Sequence, residues 1–204
     1  MNIKNKLKKL DLMPLGLKET LPVTITKTNI PPFKKLLPIG HKVLYQDFLN
    51  FDKSAKYVSD RKNIFIENNI DINEYRNYMD SLGFNKENYC VYPLRDVNNN
   101  FLFSESSHTA AFFSDWPTNI FRPQYNFTKK PWHAIDHIDY TNTGTHGFRV
   151  LVPLNKSFKI RVEDIEYELV EGYSYFIDVT RKHSAWSDAG RAVLSFQMAD
   201  DSLL

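Results

Sequence analysis

The stretch "WHAIDHIDYTN" places four potential metal ligands, His133, Asp136, His137 and Asp139, within seven residues. Metal sites and polar loops both use these residue types, so the spacing has to separate the two. In a β-strand, side chains two residues apart point to the same face. His137 and Asp139 therefore converge on one face, whereas Asp136 alternates to the opposite, exposed face.

A third ligand is available in "DVTRKHSAW", where His183 follows Asp139 after enough chain for about four strands. That length allows the chain to cross a barrel and return beside the first pair. Two neutral imidazoles and one carboxylate on one face of a divalent metal are the ligand set of non-haem Fe(II) oxygenases. His-x-Asp alone is a weak signal, because such tripeptides are common.

Arg191, at the start of "RAVLSFQM", follows the second histidine. Alternation along that run allows its guanidinium to enter the barrel, where it would pair bidentately with a carboxylate. An arginine buried without an anionic partner is costly. A dicarboxylate cosubstrate would satisfy it.

The elements that must position these residues change along the chain. Prolines interrupt the first forty residues, which are expected to form extended segments and turns. Residues 44–85 are expected to be helical, most clearly in "DINEYRNYMDSLGF". There Asp71 can cap a helix, Glu74 completes a capping box and Gly83 is a C-terminal stop.

From Tyr89 onward, short β-type runs alternate with turn residues. The runs are "YCVYPL", "FLFSES", "HTAAFF", "HAIDHID", "FRVLVPL", "FKIRV", "YELV", "YSYFIDV" and "RAVLSFQM". The asparagines of "RDVNNN" favour a hairpin turn between the first two. Many strands at short spacing predict a mainly β fold, an antiparallel barrel with helices packed outside it.

Composition excludes several classes of protein. The 204 residues suit one domain, and 42% hydrophobic residues indicate a globular chain. A net charge of +2 argues against nucleic-acid or membrane-surface partners. No apolar run is long enough for a membrane span, and the basic start lacks the features of a secretory signal. The single cysteine, Cys90, lies in an apolar run and suits a buried structural thiol in the cytoplasm.

A family resemblance extends over about residues 130–199. It is carried by four segments in this order: "HIDYTN", "FRVLVPL", "IRVEDIEYELVEGYSYFID" and "HSAWSDAGRAVLSF". They resemble the 2-oxoglutarate/Fe(II)-dependent oxygenases with a double-stranded β-helix (jelly-roll, cupin-like) core. The likeness is greatest to the aspartyl/asparaginyl β-hydroxylase branch, which includes cis-proline hydroxylases. The N-terminal half matches no known pattern.

The resemblance implies roles for particular residues. His137, Asp139 and His183 would ligate Fe(II), and Arg191 would bind the distal carboxylate of 2-oxoglutarate. Arg149 of "FRVLVPL" would lie near the substrate or cosubstrate. Two features depart from the family: Leu151 stands where a histidine is frequent, and the interval from His183 to Arg191 is about two residues short.

The expected protein is one oxygenase domain over residues 1–204, with a helical and extended support region at 1–88 and the β-helix core at 89–204. It would use O₂ and 2-oxoglutarate to hydroxylate a C–H bond, with release of succinate. The substrate would be a free, proline-like amino acid or an amino-acid residue, and a small substrate is favoured over a folded protein. The alternative is a cupin-like metal-binding module that performs no oxidation.

Less specific interpretations compete at several positions. His133 shares the face of His137 if the strand is regular, but lies too far along it to share a metal easily. His146 suits an exposed loop, and Asp178 suits a loop-organising carboxylate. Arg149 is either a structural ion-pair partner or a substrate ligand. Three aromatic residues form a possible cluster: Phe113, Trp116 and Tyr125. Such a cluster either lines a substrate pocket or, more commonly, belongs to the hydrophobic core.

Overall fold

The computed structural model describes residues 29–53, 71–85, 87–95, 100–139, 148–198 and 200–204. Within these ranges there are three helices: α1 (His41–Asn50), α2 (Ile72–Ser81) and α3 (His108–Asp115). The strands of the same ranges are β1 (Phe33–Pro38), β2 (Tyr89–Pro93), β3 (Ile120–Thr128), β4 (Trp132–His137), β5 (Phe148–Pro153), β6 (Phe158–Val162), β7 (Ile165–Leu169), β8 (Tyr173–Asp178), β9 (His183–Ser187) and β10 (Arg191–Met198).

Two antiparallel sheets form the core. The larger sheet has the strand order β1-β8-β5-β10-β3-β2, and the smaller has the order β4-β9-β6-β7. The crossovers between non-consecutive strands are those of a jelly roll, so the predicted mainly β, double-stranded β-helix fold is confirmed. Strand β1 lies within the first 88 residues and pairs with β8, so this region also supplies an edge strand of the larger sheet.

Strand β10 shows how the hydrophobic residues are divided. All of its eight residues are buried, because both faces of the larger sheet are covered. Val193 packs in the cluster between the two sheets. Leu194 and Phe196 point to the other face and pack in a second cluster beneath α1 and α3. The two faces of the larger sheet therefore border two separate hydrophobic clusters.

Helix α3 corrects one prediction, because "HTAAFF" is helical and not a strand. The hydroxyl of Ser107 accepts a hydrogen bond from the Ala110 amide and caps the helix. Thr109 and Phe113, four residues apart, are its buried positions. The run "FLFSES" is not a strand either; Phe101 makes only an isolated bridge with Arg95.

Helix α2 begins as predicted, with the Asp71 carboxylate accepting hydrogen bonds from the amides of Asn73 and Glu74. The chain turns away from the end of the helix at Gly83, which has a φ of +95°. A Cβ atom at Gly83 would lie 2.1 Å from the carbonyl oxygen of His133, so only glycine fits at this contact. The end of α2 is thus packed directly on the backbone of β4.

Cys90 is half-buried in β2. Among the described helices, none is both long and apolar enough to cross a membrane. His146 lies outside the described residues.

Candidate metal centre

Two histidines face each other on adjacent strands of the smaller sheet. His137 ends β4 and His183 begins β9, and their Cα atoms are register partners. Their ring centroids lie 4.3 Å apart, with the rings inclined by 50°. His183 is only 6% exposed. The antiparallel pairing therefore brings together two residues that are far apart in the sequence.

Asp139 completes the group just beyond the end of β4. Its amide donates to the carbonyl oxygen of Val179, 3.0 Å away, which fixes the backbone after the strand. One carboxylate oxygen, Oδ1, lies 3.6 Å from Nε2 of His137. One potential ligand atom from each of His137, Asp139 and His183 lies within 4.8 Å of the others.

A β-bulge in β4 determines which side chains reach this group. Ala134 pairs with Ala185 and His137 pairs with His183, so two residues of β4 lie opposite Ser184 alone. The extra residue shifts the alternation: Ala134 is buried, His133 is exposed and His137 joins the inner face. The expectation that His133 and His137 share a face, made for a regular strand, is therefore wrong.

Both imidazoles present the same nitrogen to the centre. Nδ1 of His137 lies 2.6 Å from the Ile135 carbonyl oxygen, and Nδ1 of His183 lies 2.9 Å from that of Arg181. A carbonyl only accepts, so Nδ1 carries the proton and Nε2 keeps its lone pair for a metal. Burial lowers the pKa of His183, which favours the neutral, ligating form. Two such imidazoles and a carboxylate fit a divalent transition metal.

The turn before β9 is organised by Asp178, as interpreted from the sequence. Its carboxylate accepts hydrogen bonds from the amide and hydroxyl of Thr180 and from Nε of Arg181. Arg181 in turn supplies the carbonyl that holds the His183 ring. Asp178 therefore positions a ligand indirectly.

Asp136 lies on the outer face, as alternation predicted, but it is ion-paired. Its carboxylate lies 2.7 Å from Nη2 of Arg161 and 3.0 Å from Nζ of Lys182. The hydrogen bond from Arg161 is the main cause that holds the pKa of Asp136 well below its usual range. Asp136 thus has cationic partners that keep it away from the inner group.

A cavity of about 100 Å³ between the sheets contains the ligand group. It is large enough for several water molecules or part of a small ligand. Its wall includes Arg149, Arg191 and Leu151 from the larger sheet. Apolar and aromatic side chains make up most of the remainder: Phe84, Tyr89, Trp132, Ala134, Phe158, Ile160, Ile177, Val179, Ala185 and Val193.

Arg191 is a buried cation in the wall of this cavity. The residue is 3% exposed, and its guanidinium carbon lies 4.6 Å from the ring centroids of both Trp132 and Phe158. Its Nε is buried without a hydrogen-bond partner among the described residues. Desolvation lowers the pKa of Arg191. No acidic side chain in the described ranges forms a salt bridge with it, so the cation is available for an anionic ligand.

Arg149 lies beside the candidate ligands. Its Nη2 is 3.5 Å from Oδ2 of Asp139, so the ion pair considered from the sequence is present. Its Nε is buried without a partner in the described part of the chain, and the residue also lines the cavity. The guanidinium therefore has donor capacity beyond its contact with Asp139.

Sequence reasoning missed most of the cavity wall, including Phe84, Tyr89 and Asn126, which precede the segments that resemble a family. Phe84 follows α2 and packs edge-on against His137, with centroids 5.2 Å apart. The docking of α2 on β4 brings it there: the indole of Trp132 donates to the Gly83 carbonyl, 2.9 Å away. A glycine stop followed by an aromatic residue was the only local signal.

The three aromatic residues considered for a substrate pocket lie elsewhere. Phe113, Trp116 and Tyr125 are buried in the cluster on the outer face of the larger sheet. Trp116 and Phe113 both pack against Phe196 of β10. They are core residues of the helix-covered face and do not line the cavity around the histidines.

Comparisons with known proteins found only weak similarity to solved structures. No protein-family model and no curated protein matches the chain. An RmlC-like cupin from Desulfovibrio desulfuricans is similar at 12% identity and a TM-score of 0.37, over 58% of this chain and 89% of that one. The protein TT1209 from Thermus thermophilus has 13% identity and a TM-score of 0.36, over 60% and 95%. Salicylate 1,2-dioxygenase from Pseudaminobacter salicylatoxidans has 9% identity and a TM-score of 0.38, over 55% of this chain and 27% of that one. Identities this low say nothing about activity.

Proposed function

We propose that this protein is an Fe(II)/2-oxoglutarate-dependent dioxygenase that hydroxylates an unactivated C–H bond, most simply that of a free, proline-like amino acid. One observation carries the proposal. The two-histidine, one-carboxylate group and the buried guanidinium of Arg191 line the same cavity. The cavity thus combines a place for a divalent metal with a place for a carboxylate.

The donor set supports iron as the metal. His137, Asp139 and His183 would hold it through two imidazole nitrogens and one carboxylate oxygen, a set that leaves coordination positions open for other ligands. Bound Fe(II) would supply the reaction of O₂ with the cosubstrate. The chain's own contribution is to fix the two histidine ligands through the carbonyls of Ile135 and Arg181 and to surround the group with apolar side chains.

The charge of Arg191 supports a dicarboxylate cosubstrate. A buried guanidinium needs an anion, and a carboxylate matches its planar donors. A ligand that binds the metal through one acidic end and Arg191 through the other satisfies both halves of the cavity. 2-Oxoglutarate has this chemistry. The aromatic rings of Trp132 and Phe158 exclude water around Arg191, which strengthens its attraction for the carboxylate.

Arg149 is the candidate ligand for the carboxylate of an amino-acid substrate. It lies beside Asp139 and has an unpartnered Nε at the cavity, as far as the described residues go. An amino acid whose carboxylate binds there would have its carbon skeleton near the candidate metal ligands. Holding a substrate beside the reactive centre is the positioning role that such arginines perform.

Succinate release in air tests the proposed activity. Protein supplied with Fe(II) and 2-oxoglutarate should form succinate, and a panel of amino acids and peptides that includes proline should contain compounds that stimulate this release. His183→Ala should abolish the stimulated release. His133→Ala is the matched control, because His133 points away from the cavity, and it should retain activity. Metal binding without any succinate formation would instead favour the non-oxidative cupin-like module.

A further inference from the structure

Tyr89 and Arg191 lie at the same level of the larger sheet. In β2, Tyr89 is the register partner of Thr128 in β3, and Thr128 is also the partner of Arg191 in β10. Directly opposed residues in neighbouring strands place their side chains on the same face. Both side chains accordingly line the cavity that contains the candidate metal ligands.

Tyr89 and Arg191 also interact directly. The guanidinium carbon lies 5.9 Å from the centroid of the phenol ring, which places the guanidinium beside the phenol group. Neighbouring rings restrict the phenol: Phe84 packs edge-on at 5.1 Å and Trp132 lies at 4.9 Å between centroids. The hydroxyl is therefore held beside Arg191 by surrounding side chains.

The donor and acceptor capacities of the pair leave the phenol proton of Tyr89 without an acceptor among the described residues. A guanidinium has donors and no acceptor, so toward Arg191 the phenol oxygen can only accept. The phenol keeps its own proton, because burial raises the pKa of Tyr89. No oxygen of the described residues accepts this proton. It is therefore available to an acceptor that enters the cavity.

We propose that Tyr89 is a second binding residue for the distal carboxylate of the cosubstrate, donating its phenol proton to one carboxylate oxygen while Arg191 binds the carboxylate electrostatically. This inference rests on the proposed function, since it concerns the same cavity. It assigns a role to β2, which precedes the segments that resemble the oxygenases. It also makes Tyr89 a determinant of specificity, because a 2-oxo acid without a distal carboxylate gains nothing from it.

Anaerobic calorimetry of the Fe(II)-loaded protein with 2-oxoglutarate and with pyruvate tests this role. A hydrogen bond to a charged group contributes enough that Tyr89→Phe should weaken 2-oxoglutarate binding by roughly 10- to 100-fold. Pyruvate affinity and Fe(II) stoichiometry should not change. Tyr92→Phe is the matched control, because Tyr92 lies on the same strand but packs in the cluster on the opposite face of the sheet.

Each outcome bears on a different claim. If Tyr89→Phe binds 2-oxoglutarate within twofold of the wild type, the role of Tyr89 is wrong and the proposed function stands. If the variant loses affinity equally for pyruvate and 2-oxoglutarate, Tyr89 acts on the cavity as a whole and its assignment to the distal carboxylate is wrong. If the wild type itself binds no 2-oxoglutarate, both the cosubstrate and its second binding residue are wrong.

Discussion

The carboxylate of Asp139 faces a different partner with each of its oxygens: Oδ2 lies 3.5 Å from Nη2 of Arg149, and Oδ1 lies 3.6 Å from Nε2 of His137. This division suits a carboxylate that binds a metal through one oxygen while an arginine holds the other. Partners of this kind orient metal ligands and influence metal affinity. Arg149 therefore connects the candidate metal centre with the space in which a substrate would bind.

Substitution of Arg149 should affect substrate binding more than cosubstrate turnover. In Arg149→Met, we expect the KM for a carboxylate-bearing substrate to rise at least about tenfold, because a charged hydrogen bond is lost. Uncoupled conversion of 2-oxoglutarate to succinate should persist. Steady-state kinetics with and without substrate would measure both. An unchanged KM would mean that Arg149 is only the ion-pair partner of Asp139.

Gly83→Ala should destabilise the fold. The change forces an alanine to adopt a φ of +95° and places its Cβ 2.1 Å from the carbonyl oxygen of His133. Positive φ alone costs about 1–2 kcal/mol, and displacement of a backbone group adds to this. We expect a loss of more than about 2 kcal/mol in the free energy of unfolding, measured by chemical denaturation.

Gly190→Ala is the control for this experiment. Gly190 has a φ of +75°, but a Cβ there would meet only the end of the Lys156 side chain, at 3.6 Å. It should therefore show the cost of positive φ without the backbone clash. Equal losses in the two variants would contradict the close packing of α2 on β4.

Arg191→Met should distinguish a role of Arg191 in the stability of the fold from a role in binding 2-oxoglutarate. The substitution removes a buried cation that has no anionic partner among the described residues and keeps a flexible apolar side chain in its place. Replacing buried charges with apolar residues is often neutral or stabilising, by about 1–4 kcal/mol. Without ligand, the variant should be at least as stable as the wild type. Added 2-oxoglutarate should raise the Tm of the wild type and leave that of the variant unchanged.

A clear loss of stability in ligand-free Arg191→Met would show that Arg191 serves the fold. The cation–π contacts with Trp132 and Phe158 would then outweigh the cost of desolvation. Thermal unfolding with and without 2-oxoglutarate distinguishes this outcome from a binding role.

The grouping of His137 with Asp139 could be predicted because its signal is local. Alternation selected His137 and Asp139 and placed Asp136 outside. The capping box at Asp71 predicted the start of α2. These features depend on neighbours in sequence, and the physical rules that govern them act over a few residues.

Features that depend on distant strands could not be predicted. Strand β3 contains Pro123, which argues against a central strand. It is tolerated because Arg122 and Pro123 together lie opposite Phe196, in a bulge between the pairs Ser195–Gln124 and Gln197–Phe121. The bulge in β4 that separates His133 from His137 has no local signature either.

Two further features were missed for different reasons. Helix α3 was not predicted because "HTAAFF" contains residues typical of strands, although Ser107 caps it. Tyr89 reaches Arg191 only through the pairing of β2 with β3, which no local pattern reveals.

Anaerobic titration with Fe(II) and 2-oxoglutarate is the most direct test of the central claim, that one cavity holds both a metal and a dicarboxylate. We expect the wild type and His133→Ala to develop a visible metal-to-ligand charge-transfer band that saturates with 2-oxoglutarate. His183→Ala should show no band, and Arg191→Met should need a much higher 2-oxoglutarate concentration to reach it. Absence of the band in the wild type, or a band of equal strength and affinity in His183→Ala, would contradict the claim.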